Sequence, residues 1–154
     1  MPKGQTTFNF IDLFAGAGGL SEGFIQAGFN PIAHVEMNAM AAQTLETRAA
    51  FHYLSKQEDN SIQFYYAYER GEITRAELLE HVPDQVIATV INEELSDKSI
   101  KSVFEQIDKN MQDTGVEHVD VIVGGPPCQA YSLVGRAQSS HMLVPMEDDP
   151  RNEL

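Results

Sequence analysis

The stretch Phe8–Gly19, FNFIDLFAGAGG, constrains this chain more than any other. A short apolar run that breaks into Gly16, Gly18 and Gly19 has few solutions besides strand, tight turn and helix. We read Phe8–Leu13 as a buried strand and Leu20 to about Ala27 as a helix, with Leu20 and Phe24 on one face and Gly28 as its stop. Pro31–Glu36 (PIAHVE) reads as a second strand, and Asn38 as the N-cap of a helix running to about Tyr53. Strand and helix in this alternation open a parallel α/β sheet with right-handed crossovers and helices on both faces.

The alternation then pauses. Residues 54–86 carry the aromatic run FYYAY and a capping-box pattern at Thr74-Arg75-Ala76-Glu77, and are expected to form a helical insertion on the rim of the sheet. Ile87–Ile91 (IATVI) is expected to be the third strand. Ile100, Val103, Phe104, Ile107 and Met111 recur at helical spacing between about Asp97 and Gln112. Val119–Val123 (VDVIV) is expected to be a fourth strand at the centre of the sheet, buried on both faces. At 154 residues the chain is about one domain. No apolar run approaches the roughly 20 residues of a membrane span, and the N-terminus has no apolar signal region. The single cysteine excludes an internal disulfide and agrees with a reducing cytoplasm. No cluster has metal-ligand spacing, so no metal is expected.

A formal charge of −13 argues against a nucleic-acid partner, which normally meets a basic face. The distribution weakens that objection. Most of the acidic residues fall between Glu58 and Glu117, whereas Val121 to Met146 contains none and includes Arg136.

The glycine turn lies at the carboxyl end of the first strand, where doubly wound sheets bind ligands. A dinucleotide fingerprint GxGxxG would need glycine at position 21, where Ser21 stands. Glu36 ends the second strand and is placed to accept hydrogen bonds from ribose hydroxyls, with Met37 beside it to pack on adenine. The same residues also fit a plain tight turn and a helix cap. On this motif alone the two readings stand level.

The lone thiol, Cys128, falls in GGPPCQAYS directly after the fourth expected strand, at the same sheet edge. A lone cysteine is usually a small buried hydrophobe. Behind Pro126 and Pro127, however, it sits in a stiff turn at the ligand edge, as a nucleophile would.

FIDLFAGAGGLSEGF and GGPPCQAYS together resemble the cytosine-5 DNA methyltransferase family, the first as its cofactor motif and the second as its catalytic Pro-Cys motif. DPRNEL at Asp149–Leu154 resembles the segment after that family's mobile catalytic loop. The resemblance implies a Rossmann-like S-adenosylmethionine-dependent methyltransferase sheet, here incomplete, acting on double-stranded DNA with a flipped cytosine. It implies Cys128 as the nucleophile, and Phe14, Gly16, Gly18, Gly19, Glu36, Met37 and Pro127 at the cofactor site. Glu94 would contact the adenine amino group, with Glu93 competing. Gln129, Ser132 and Arg136 would contact phosphate or sugar. Cysteine after the two prolines, where nitrogen-directed relatives carry an aromatic residue, favours methylation of a ring carbon.

The family's later motifs and its target-recognition domain have no counterpart in residues 1–154. The chain alone is therefore expected to be weak or inactive, completed by a C-terminal portion or a complementing chain. A bacterial modification enzyme paired with restriction is the expected setting. Competing expectations are a tRNA cytosine-5 methyltransferase, which shares Pro-Pro-Cys-Gln, and a non-catalytic cofactor-binding module. A dinucleotide oxidoreductase is disfavoured by Ser21.

Overall fold

β1 (Asn9–Leu13), β2 (Asn30–Val35), β3 (Val90–Ile91) and β4 (Val121–Gly124) pair in parallel in the order β3-β2-β1-β4. The structure is a computed structural model and describes residues 7–126. Because every strand points the same way, all four carboxyl ends share one edge. Both glycine-rich turns leave from it, since Leu13 and Gly124 are register partners. That partnership is close: a Cβ on Gly124 would fall 2.3 Å from the Leu13 carbonyl oxygen, so only glycine fits.

The described residues also form six helices: α1 (Gly19–Gln26), α2 (Ala39–Leu54), α3 (Ile62–Glu69), α4 (Arg75–Leu79), α5 (Asp84–Ile87) and α6 (Ile100–Thr114). α6 covers one face of the sheet, where Val103 and Ile107 join Ile11, Ala33, Val35 and Ile91 in a buried cluster. Its Asn110 amide reaches the carbonyls of Ile32 and Ala88 and ties the helix down. α1 and α2 lie on the opposite face. There Phe24 stacks on the fully buried Phe10, with ring centroids 5.2 Å apart.

Helix ends follow the local chemistry expected of them. The Asn38 side chain accepts from the amides of Met40 and Ala41, at 3.0 and 3.1 Å, and starts α2. Thr74 and Glu77 form the reciprocal capping box at the head of α4. Gly115, at φ 68°, ends α6 in the left-handed conformation.

Four expectations need correction. Most of Ile87–Ile91 is not strand: Pro83 caps a short helix that runs through Ile87, and only Val90 and Ile91 pair with β2. β4 is half-buried and, among the described residues, lies at the sheet's edge. α6 packs chiefly over β2, and Ile122 is 64% exposed. The helix expected from the spacing of Ile100, Val103, Phe104, Ile107 and Met111 is α6, but Phe104 and Ile100 lie on its flanks rather than in its buried stripe. On α1 the buried residue is Ser21, while Leu20 faces outward.

Residues 54–86 are helical, and α3 to α5 pack against α2 through a cluster of their own. Ala50, Leu54, Leu78 and Val82 are its buried members, with Tyr65 and Tyr68 of the aromatic run against them. No helix among the described residues is long and apolar enough to cross a membrane, and none of their side chains form a group that could hold a metal ion.

Candidate functional site

The first turn after β1 is built on left-handed backbone. Phe14, Gly16 and Gly18 all have positive φ, at 59°, 57° and 85°. A phenylalanine held there is uncommon and is tolerated where the surroundings fix it. The amide of Ala15 donates to the Val35 carbonyl, fastening the turn to the end of β2.

Glu36 completes the fastening. One carboxylate oxygen accepts from the Gly16 amide at 2.7 Å, and the other accepts from the Asn38 amide, also at 2.7 Å. Each oxygen keeps a second lone-pair direction for another donor. Across the edge, Asn92 at the end of β3 donates its side-chain amide to the carbonyls of Glu36 and Met37, at 2.7 and 3.1 Å. The ends of β1, β2 and β3 are thereby laced together.

A hollow of about 180 Å³ opens at this lacing. Phe14 supplies one wall, Glu36 and Met37 the next, and Glu93, Glu94 and Leu95 the far side; Gly125, just past β4, closes it. Met37, 63% exposed, offers its thioether side chain to the hollow's rim. Among the described residues the lining includes three carboxylates and no lysine or arginine. Such a hollow suits a cationic ligand with hydroxyl and amino donors and repels a pyrophosphate. Glu93 is engaged by the Gln106 side-chain amide at 3.2 Å, whereas Glu94 is exposed.

Of the residues singled out from sequence, Phe14, Glu36, Met37 and Glu94 therefore meet at one hollow, and Gly16 contacts it through Glu36. Gly18 does different work: a Cβ there would fall 2.7 Å from the Leu45 side chain, so this glycine lets α2 pack against the turn. Gly19 is the first residue of α1. Pro127, Cys128, Gln129, Ser132 and Arg136 lie outside the described residues. Asn92 and Leu95 escaped the sequence reading; an asparagine directly after a β-branched pair is a turn signal that marks the former.

A larger groove, of about 490 Å³, lies between α2 and the α3–α4 layer. In it Glu22 meets both Arg48 at 3.4 Å and His52 at 2.9 Å, while Arg75 pairs with Glu46 and keeps a buried Nε without a partner among the described residues. The hollow at the strand ends differs in lying where β1, β2 and β3 finish, with free acceptor capacity on Glu36 and Glu94.

Comparison with known proteins gives the family. The family model described as C-5 cytosine-specific DNA methylase matches residues 8–70 and 84–148, leaving only a short segment around α4 unmatched between them. The chain is 37% identical to the type II methyltransferase M.Bpa9945I of Bacillus paralicheniformis, over 94% of this chain and 35% of that protein. It is 34% identical to the type II methyltransferase M.AgeI of Thalassovita gelatinovora, over 94% of this chain and 22% of that protein. A putative type II methyltransferase of Methanocaldococcus jannaschii, M.MjaORF1200P, is 31% identical over 80% of this chain and 36% of its own length. The chain thus spans between 22% and 39% of the length of the curated relatives it matches. No solved structure is a significant match.

Proposed function

Because the chain belongs to the C-5 cytosine-specific DNA methylase family, we propose that it is the cofactor-holding part of a DNA cytosine-5 methyltransferase of the restriction-modification type. The observation that carries this reading is the acidic hollow at the carboxyl ends of β1, β2 and β3, with Gly125 on its wall and the Pro-Pro-Cys sequence next along the chain.

S-adenosylmethionine, when bound, supplies a methyl group on a sulfonium centre, and a carboxylate-lined hollow fits that positive charge. Glu36 has lone pairs left for the ribose hydroxyls. Phe14 and Met37 flank the place for adenine, and Glu94 offers an acceptor for its amino group. Pro127 would add a contact as the chain leaves the edge.

Cys128 would act on the other reactant. Carbon 5 of cytosine is a poor nucleophile by itself. A bond from the Cys128 thiolate to carbon 6 moves electron density to carbon 5, which then takes the methyl group. Loss of the carbon-5 proton and release of the thiolate restore the ring. A target inside a duplex must first be turned out of the stack, at a cost of a few kcal/mol. Gln129, Ser132 and Arg136, in a stretch without acid, suit the phosphates and sugars beside the displaced base. Whatever lies beyond this chain in the longer relatives would supply sequence choice.

The test is transfer of a labelled methyl group from S-adenosylmethionine by the full-length protein, offered duplex DNA or tRNA. Label in 5-methylcytosine of DNA is expected, abolished by Cys128→Ser with cofactor binding retained. Glu36→Ala should weaken cofactor binding by about ten- to a hundredfold, the worth of charged hydrogen bonds. Label in tRNA alone would overturn the DNA assignment. Cofactor binding with no transfer to either would leave a binding module.

A further inference from the structure

Asp12 of β1 and His34 of β2 are register partners, so their side chains leave the same face of the sheet side by side. Ser21 of α1 lies over both. Its hydroxyl donates to Asp12 Oδ2, and its oxygen stands 2.9 Å from His34 Nδ1. All three residues are buried, with 1%, 2% and 4% exposure for Asp12, Ser21 and His34. Neutral His34 donates from Nδ1 to the serine oxygen, giving a continuous chain of donors from β2 through α1 to β1.

An apolar trio would fill this space at less electrostatic cost. The other Asp12 oxygen is buried and has no partner among the described residues, so the arrangement carries a penalty that packing alone does not require. What polar partners add is register. A slip of β2 by one residue would carry His34 to the opposite face and leave Ser21 and Asp12 unsatisfied.

The position of the trio shows what that register controls. Asp12 is two residues before Phe14, and His34 is two residues before Glu36. The strand ends they fix are those joined by the 2.7 Å bond from the Gly16 amide to Glu36. We propose that Asp12, Ser21 and His34 are positioning residues, a buried polar brace that sets the spacing between the Phe14 turn and Glu36 and so sets the affinity of the hollow for the adenosyl part of its ligand. This rests on the cofactor reading above.

The experiment compares full-length parent and variant proteins by calorimetry with S-adenosylmethionine and by fluorescence anisotropy with duplex DNA. Ser21→Ala should raise the cofactor Kd about tenfold and leave the DNA Kd within about twofold. Asp12→Asn, which keeps an acceptor for Ser21, should stay within about threefold of the parent for cofactor. Added to Glu36→Ala, Ser21→Ala should cost less than about a further twofold, because the brace acts through Glu36. Unchanged cofactor affinity in Ser21→Ala overturns the inference, and so does weakening that is equal for cofactor and DNA or additive with Glu36→Ala. Should Ser21→Ala fail to fold, His34→Gln is judged by the same criteria. A parent that binds no S-adenosylmethionine overturns the cofactor reading and the brace together; a parent that binds it no better than Ser21→Ala overturns the brace alone.

Discussion

At the scale of single residues, the buried brace has a consequence for stability. Burial lowers the His34 pKa from 6.5 to about 4, with a smaller push in the same direction from nearby His52. The unfolded chain therefore binds a proton that the folded chain refuses between about pH 6.5 and 4. Stability should fall with pH through that window, by about 3 kcal/mol from this residue alone. Asp12 works the other way: burial raises its pKa, partly offset by its hydrogen bonds with Ser21, so its share of stability declines as pH rises above 3.8. Urea titrations at pH 7 and pH 5 should show the loss, and His34→Gln should flatten it. An equal pH slope in that variant would remove His34 as the source. None of this was legible in the sequence. Ser21 showed there only as a glycine that was missing, because its meaning depends on Asp12 and His34 falling opposite each other in adjacent strands. Glu36 and Met37 were legible, since a strand end followed by a turn is a local pattern, whereas Phe14 and Glu94 were singled out only through the family resemblance.

At the scale of elements, what local chemistry decides was readable and what distant packing decides was not. Asn38 marked the start of α2, and the Thr74 box marked α4. Replacing Asn38 with alanine should cost about 1 kcal/mol in denaturant unfolding, since two amides of the first turn lose their acceptor. A change below about 0.3 kcal/mol would mean that water serves those amides as well. By contrast, the exposure of Ile122 and Phe104 follows from where α6 crosses the sheet. Helical spacing gives the direction of a stripe but not its width. The β-branched run Ile87–Ile91 shows the same limit: its composition suited a strand, and the Pro83 start took its first part into a helix.

At the scale of the whole molecule, the described residues hold two separate apolar clusters, one under α6 and one between α2 and the α3–α5 layer. Leu78 is fully buried in the second. Leu78→Ala should cost about 2–5 kcal/mol, read as the loss of amide protection in α3 to α5. Protection in β1 and β2 should fall less. Equal loss throughout would show that the two clusters unfold as one.

The sheet order also sets a timetable for synthesis. β1 finds β2 almost at once, but its other neighbour arrives late: Asn9 bonds to Asp120, 111 residues further along. At elongation rates of about 5–20 residues per second, that is a wait of roughly 5 to 20 s on the ribosome. Throughout it, the strand that carries the glycine turn has one open side.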